Sequence, residues 1–86
     1  MERAVTDHIE KAKFEIAEAI GRRITETGLT QAEAAKIMGI TRPTASKIVN
    51  KKIERHALAT LIGAAERFGL PVDLRISIAP QGAPAE

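Results

Sequence analysis

The segment spanning residues 31–50 constrains the fold more than any other part of the chain, because it has the pattern of two short helices joined by a glycine turn. Thr30 and Glu33 have the spacing of a capping box, which predicts a helix that begins just after Thr30. Ala35 is small enough to let a second helix approach closely, and Gly39 can adopt the positive φ of a sharp turn without steric cost. The segment therefore predicts a helical hairpin with its turn at Gly39.

The second helix of this hairpin has one apolar face and one polar face. Thr41 is a suitable N-cap for it, and Pro43 falls in its first turn, where a missing N–H costs little. At helical spacing, Ala45, Ile48 and Val49 share the face that is predicted to be buried. The outer face and its N-terminal tip consist of Arg42, Pro43, Thr44, Ser46, Lys47 and Asn50. A face with a cation, a hydroxyl and an amide can form hydrogen bonds with base edges, so the pattern predicts a DNA-reading helix-turn-helix.

The charge around this hairpin separates the DNA-binding interpretation from a plain helical hairpin in a small bundle, which the helix pattern alone would also fit. Between positions 36 and 56 Glu54 is the single acidic residue. The basic residues of the same stretch are Lys36, Arg42, Lys47, Lys51, Lys52 and Arg55. Clustered cations attract phosphates, so the charge favours a nucleic-acid partner.

The stretch LTQAEAAKIMGITRPTASKIVNKKI resembles the helix-turn-helix of the lambda-repressor-like (Cro/C1, or XRE) family. With its continuation LATLIGAAERFGLPVDLRI, the chain is similar to the HigA-like subgroup of that family, and the resemblance covers residues 12–78. The resemblance implies a transcriptional regulator that binds double-stranded DNA. Many members of the subgroup are antitoxins of toxin–antitoxin pairs, so it also implies a cognate toxin as a possible partner.

The resemblance also implies roles for individual positions. Gln31 would contact a phosphate at the start of the first motif helix, and Asn50 and Lys51 would contact the DNA backbone after the second. With the base-facing positions and the N-terminal tip included, the predicted DNA-binding residues are Gln31, Thr41, Arg42, Pro43, Thr44, Ser46, Lys47, Asn50 and Lys51. His56 departs from the family pattern, because relatives usually have a serine or threonine helix cap at that position.

Two further helices are predicted around the motif. The first runs from about Asp7 to Thr27, with Gly28 as its C-terminal stop. Its apolar residues recur every three or four positions, at Ile9, Ala12, Ile16, Ile20 and Ile24. The last helix has the amphipathic spacing of Leu58, Leu61, Ile62, Ala65 and Phe68. Gly69 and Pro71 are expected to end it. The predicted fold class is therefore all-α, a lambda-repressor-like bundle of about four helices.

The chain changes its pattern after this helix, because apolar residues alternate with polar ones between positions 72 and 78. The apolar positions are Val72, Leu74, Ile76 and Ile78. This alternation predicts a single C-terminal strand, and a lone strand invites pairing with another chain. We expect an antiparallel ribbon with the same strand of a second subunit, which would make a homodimer. An extended arm packed on the helices of the same chain is the alternative.

Composition limits the remaining possibilities. The 86 residues are enough for one domain, predicted over residues 1–78, and residues 79–86 are predicted to be disordered. The chain has no cysteine and only two histidines, His8 and His56, which lie in different elements. The sequence therefore predicts no enzyme activity, no metal site and no cofactor. It contains no apolar run long enough for a membrane span, and a cytoplasmic location is expected.

Two functions remain open at the level of the sequence, and they can coexist. The protein could be a dedicated transcriptional repressor that acts as a dimer on an inverted-repeat operator. It could instead be a HigA-like antitoxin that neutralises a ribonuclease toxin and regulates its own operon. The sequence identifies neither the operator nor the toxin, and it shows no obvious toxin-binding motif.

Overall fold

The computed structural model describes the backbone of residues 2–73 and the side chains of residues 8–73. This part of the chain is all-helical, with α1 at Glu2–Thr27, α2 at Gln31–Met38, α3 at Arg42–Val49 and α4 at Leu58–Arg67. The number and order of the helices agree with the sequence prediction. The first helix begins at Glu2 rather than near Asp7, and it ends at Thr27 as predicted.

The four helices surround a small core, and each of α1 and α2 contacts both α3 and α4. The largest fully buried side chains are Ile20, Met38, Ile48 and Leu61, one from each helix. Alanines fill much of the remaining core, at Ala17, Ala34, Ala35, Ala45, Ala64 and Ala65. Because these side chains are small, the helix backbones can approach closely, as expected for Ala35.

The predicted starts of α2 and α3, after Thr30 and Thr41, are confirmed by their side-chain caps. At α2 the backbone N–H of Thr30 donates to Glu33 Oε1 at 2.8 Å, and the N–H of Glu33 donates to Thr30 Oγ1 at 3.1 Å. The hydrogen bond that the Thr30 backbone N–H donates to the Glu33 carboxylate, followed by the interaction of the Thr30 side chain with that carboxylate, lowers the pKa of Glu33. Helix α4 begins after Ala57 without a side-chain cap, so neither Ala57 nor the preceding His56 supplies the cap seen at α2 and α3.

Each of the four helices is followed, within one or two positions, by a residue in the left-handed conformation. Three of these residues are glycines, with φ values of 73° at Gly28, 73° at Gly39 and 83° at Gly69. The fourth is Lys51, with φ 61°, and it is the only non-glycine residue with positive φ in the described part of the chain. Glycine adopts this conformation without steric cost, whereas a residue with a Cβ does not. The end of α3 therefore differs from the other three.

The buried face of α1 differs from the predicted one. Among its described side chains, those of residues 8–27, the buried ones are Lys13, Ala17, Ile20 and Ile24, whereas Ala12 and Ile16 are half-buried. Ile9 is 42% exposed, and among the described side chains of α1 it lies before Lys13, the first one that is buried. On α3, Val49 is half-buried rather than fully buried.

The predicted C-terminal strand falls mostly outside the described residues, which include only its first two positions. Val72 and Asp73 have no regular secondary structure, since the described part of the chain contains no strand that could form a ladder with them. Val72 packs, half-buried, against the core. Leu74, Ile76 and Ile78 lie outside the described residues, as does the predicted disordered segment 79–86.

Candidate nucleic-acid interface

Helix α3 presents a polar face on the side opposite to its core contacts. Ala45 and Ile48 are buried, whereas Arg42, Pro43 and Lys47 are exposed. Of the other residues predicted to bind DNA, Thr41 and Asn50 are exposed, and Gln31, Thr44, Ser46 and Lys51 are half-buried. Eight of the nine predicted residues thus lie on α3 or directly at its ends, and Gln31 begins α2. An eight-residue helix with one exposed polar face can enter the major groove of a duplex.

The turn between α2 and α3 is closed by backbone hydrogen bonds and by a side chain from α4. The N–H of Gly39 donates to Lys36 O at 3.2 Å, and the N–H of Ile40 donates to Ala35 O at 3.0 Å. A Cβ at Gly39 would overlap the guanidinium of Arg67. The left-handed backbone of Gly39, with φ 73°, favours glycine at this turn, and any larger residue would also require the Arg67 guanidinium to move.

The N-terminal tip of α3 uses two of the predicted DNA-binding residues for capping. The N–H of Thr44 donates to Thr41 Oγ1 at 3.2 Å, and the Thr41 hydroxyl donates to Thr44 Oγ1 at 2.9 Å. The Thr41 hydroxyl therefore both accepts and donates within the helix cap. Of the two threonines, Thr44 retains a hydroxyl proton for a further partner.

A second side-chain link lies at the C-terminal end of the same helix. Asn50 Nδ2 donates to Ser46 O at 3.0 Å and to Ser46 Oγ at 3.4 Å. An amide group has two N–H donors, and both point back to the helix in this arrangement. A phosphate contact from the Asn50 amide nitrogen would require one of these bonds to be exchanged.

The cations of the outer face are not neutralised by nearby carboxylates. Within the described residues, neither Arg42 nor Lys47 has a carboxylate within ion-pair distance. Lys36, Lys52 and Arg55 are exposed as well. Because their charges are uncompensated and in contact with solvent, they are available to anionic partners.

Two contacts between α1 and the loop after α3 were not predicted from the sequence. The Lys51 ammonium lies over the ring of Phe14, 5.4 Å from its centroid. Lys13 Nζ donates to the carbonyl oxygen of Glu54 at 3.2 Å, although Lys13 is only 6% exposed. The spacing of Lys13 to the apolar positions 17, 20 and 24 could have identified it as a core-facing residue.

Other kinds of site receive little support from the described part of the chain. It contains no group of three or more histidine, cysteine, aspartate or glutamate residues placed to hold a metal ion. It also contains no helix with the length and apolarity needed to cross a membrane. An open groove of about 230 Å³ lies between α1 and the segment after α4, lined in part by Ala12, Ile16, Leu70 and Val72.

Comparison with known proteins assigns the chain to a family. Residues 2–77 match the helix-turn-helix domain family, and the protein belongs to that family. The chain is similar to a solved structure named as an XRE family transcriptional regulator, with a TM-score of 0.73 and 27% sequence identity. The similarity covers 91% of this chain and 88% of that chain. No curated protein has a significant match to the sequence.

Proposed function

We propose that this protein is a transcriptional regulator that binds double-stranded DNA sequence-specifically through α3. The observation that carries the proposal is the division of α3 into two faces. Ala45 and Ile48 are buried, while Arg42 and Lys47 are exposed and have no carboxylate partner in the described residues. The family assignment and the structural similarity to an XRE family transcriptional regulator support the same function.

Within this proposal the residues divide into base contacts and phosphate contacts. Arg42 and Lys47 are suited to hydrogen-bond guanine in the major groove, and Pro43 supplies an apolar contact. Gln31 stands at the N-terminus of α2, where the helix dipole favours an anionic phosphate. Thr41 orders the tip of α3 through its cap hydrogen bonds. Thr44, Ser46 and Asn50 are assigned auxiliary contacts, because the hydrogen bonds described above hold part of their polar groups within the helix.

Base selection from random duplexes tests the proposed function directly. Wild-type protein is expected to select a defined motif, and Arg42→Ala and Lys47→Ala are expected to lose specificity worth about 1–3 kcal/mol at individual positions. Lys11→Ala is a matched control, because it removes an exposed cation from α1 rather than from α3. If both α3 variants select the same motif as the wild type, α3 is not the reading helix.

We further propose that the protein acts as a homodimer joined through residues 72–78. A core built largely from alanine and aliphatic residues in a chain of 86 residues is only marginally stabilising, and oligomerisation is a common supplement. Val72 begins this segment beside the groove formed with α1, which offers apolar surface to a second chain. Paired copies of α3 would read an inverted repeat with half-site centres about 10 base pairs, or about 34 Å, apart.

Light scattering and footprinting test the dimer. Leu74→Pro removes a backbone donor from the proposed ribbon and should give a monomer with weaker operator binding. Ala79→Pro, just beyond the segment, is the matched control and should remain dimeric. A wild-type protein that is monomeric at micromolar concentration and protects a single unrepeated site would contradict the proposal.

A second candidate function is that of a HigA-like antitoxin that binds a ribonuclease toxin and regulates its own operon. The exposure of Ile9, at 42%, and of Phe14, at 47%, favours a protein partner, because both large apolar side chains lie on the N-terminal half of α1. Co-expression with the neighbouring reading frame, followed by a pull-down, tests this candidate. Both functions are consistent with a cytoplasmic location, and neither requires catalysis or a cofactor.

A further inference from the structure

The end of α3 combines an unfavourable backbone conformation with a specific side-chain contact. The N–H of Lys51 donates to Ile48 O at 3.0 Å, and the N–H of Lys52 donates to Lys47 O at 2.8 Å. These bonds close the helix in the same way as the bonds of Gly39 and Ile40 close α2, and they require a left-handed residue. At α3 that residue is a lysine rather than a glycine. A left-handed residue with a side chain points to a role for that side chain.

The Lys51 side chain lies against α1. Its ammonium is 5.4 Å from the centroid of the Phe14 ring, within the range of a cation–π interaction. Lys51 is half-buried and Phe14 is 47% exposed, so the pair lies at the protein surface. The ring covers one side of the ammonium, and the other N–H groups remain available to an acceptor from solvent.

The neighbouring residue on α1 anchors the same loop at a second point. Lys13 is buried, and its Nζ donates to the carbonyl oxygen of Glu54 at 3.2 Å, three residues after Lys51. Consecutive residues of α1 therefore contact both ends of the stretch from Lys51 to Glu54. A loop held at two points by a packed helix loses little further conformational entropy when it binds a ligand.

We propose that Phe14 is a positioning residue for DNA binding, which holds the Lys51 ammonium in place for a DNA phosphate at the end of α3. The inference rests on the proposed function and adds α1 to the elements that determine affinity. A flexible lysine loses side-chain entropy when it contacts a phosphate, whereas a lysine already held by an aromatic ring loses less. On this account, a glycine at position 51 would suit the left-handed backbone better but would remove the cation.

A double-mutant cycle on the full chain tests the proposal. Its variants are Phe14→Leu, Phe14→Tyr, Lys51→Met and the double variant Phe14→Leu/Lys51→Met, each titrated with the duplex selected by the wild type at several salt concentrations. Thermal unfolding of each variant verifies that it is folded. Because Phe14 is 47% exposed, its replacement by leucine leaves no large cavity in the core, and the Phe14→Leu variant should fold.

Phe14→Leu is expected to weaken binding about two- to fivefold, the equivalent of a surface cation–π interaction. Phe14→Tyr should bind like the wild type because it keeps the ring. Lys51→Met should lower the salt slope by about 0.9, which corresponds to one phosphate contact, and Phe14→Leu should leave that slope unchanged. In the Lys51→Met background, Phe14→Leu should have no further effect on affinity.

An NMR measurement on the free protein monitors the contact independently of DNA. The Lys51 Hε resonances should show a ring-current shift in the wild type that disappears in Phe14→Leu. If the wild type selects a duplex and Phe14→Leu has the same effect with and without Lys51, or no effect at all, this inference is overturned while the proposed function stands. If the wild type binds no duplex specifically, both are overturned, whatever the NMR spectrum shows.

Discussion

The two connections that flank α3 use the same hydrogen-bond pattern with different residues. The turn before α3 has Gly39 in the left-handed region, and the loop after α3 has Lys51 there, with φ values of 73° and 61°. At Gly39 the positive φ disfavours any side chain, and a Cβ would displace the Arg67 guanidinium. At Lys51 a side chain is present and contacts Phe14 on α1. The first connection has a residue suited to the left-handed conformation, whereas the second has a lysine there, which on our proposal places a cation for DNA.

The contrast shows that the two ends of a single helix, α3, can have different structural requirements. The N-terminal end of α3 must be placed accurately, because the predicted base contacts Arg42 and Pro43 lie there. Under the proposed function, the C-terminal end has a different requirement, which is to present positive charge to the DNA backbone. A glycine meets the first requirement and a lysine meets the second. Substitutions that exchange the two residue types therefore test the comparison.

The largest effect is expected at the first connection. Gly39→Ala should lower the free energy of unfolding by about 1–2 kcal/mol, because alanine is disfavoured at positive φ and its Cβ would displace Arg67. For a domain of this size, each kcal/mol corresponds to a decrease in Tm of about 4–8 °C. Calorimetry or urea denaturation would measure the change.

Gly63→Ala provides the control for this experiment. Gly63 lies within α4, and a Cβ at that position would meet no atom within 4 Å. Alanine is a better helix former than glycine, so this variant should be more stable than the wild type by about 0.5–1 kcal/mol. Equal destabilisation by both alanines would show that Gly39 has no special conformational role.

A smaller effect of opposite sign is expected at the second connection. Lys51→Gly relieves a left-handed conformation that costs about 1–2 kcal/mol and loses a cation–π contact worth about 0.5–1 kcal/mol. The net result should be a gain in stability of between about 0 and 1.5 kcal/mol, together with weaker DNA binding. Urea denaturation and DNA titration of the same sample would measure both changes.

Lys52→Gly is the matched control, since it removes a neighbouring exposed lysine without positive φ. This variant should be slightly less stable than the wild type, because glycine adds entropy to the unfolded chain. If Lys51→Gly is destabilised as much as Lys52→Gly, the left-handed lysine carries no strain and the proposed contrast between the two connections disappears.

Features that depend on residues close together in the sequence were predicted correctly, whereas features that depend on residues far apart in the sequence were not. The starts of α2 and α3 were predicted correctly because Thr30 and Thr41 form their caps with residues only three positions away. The buried face of α1 was misassigned by one position at Lys13, since a charged residue is not expected in a core. That lysine is accommodated by a carbonyl oxygen 41 residues away in the chain. Such a long-range partner has no local signal.

In the candidate site, too, the features set by local sequence were predicted and those set by distant residues were not. The outer face of α3 follows from helical periodicity, and its exposed residues Arg42, Pro43 and Lys47 were predicted from the sequence. The left-handed conformation of Lys51 was not, because the local sequence after Val49 contains no glycine to indicate it. The contact between Lys51 and Phe14 depends on how α1 packs against α3, which a helix pattern alone does not specify.

The caps at the starts of α2 and α3 should differ in how their contribution to stability depends on pH, and this effect is expected to be the smallest. The α2 cap contains a carboxylate, Glu33, whereas the α3 cap is formed by two hydroxyls. The pKa of Glu33 is lowered in the folded state by its hydrogen bonds with Thr30. Its stabilising effect is therefore present above its unfolded pKa and is lost as the pH falls through the folded pKa.

Denaturation of the wild type and Glu33→Gln over a range of pH would test this difference. Glutamine can accept the same hydrogen bond but carries no charge, so the wild type should be the more stable protein at neutral pH. The two unfolding curves should converge in acid, once Glu33 is protonated. Thr44→Ser, which alters the uncharged α3 cap, should differ from the wild type by the same amount at every pH. If the Glu33→Gln difference is independent of pH, the carboxylate charge does not contribute to the start of α2.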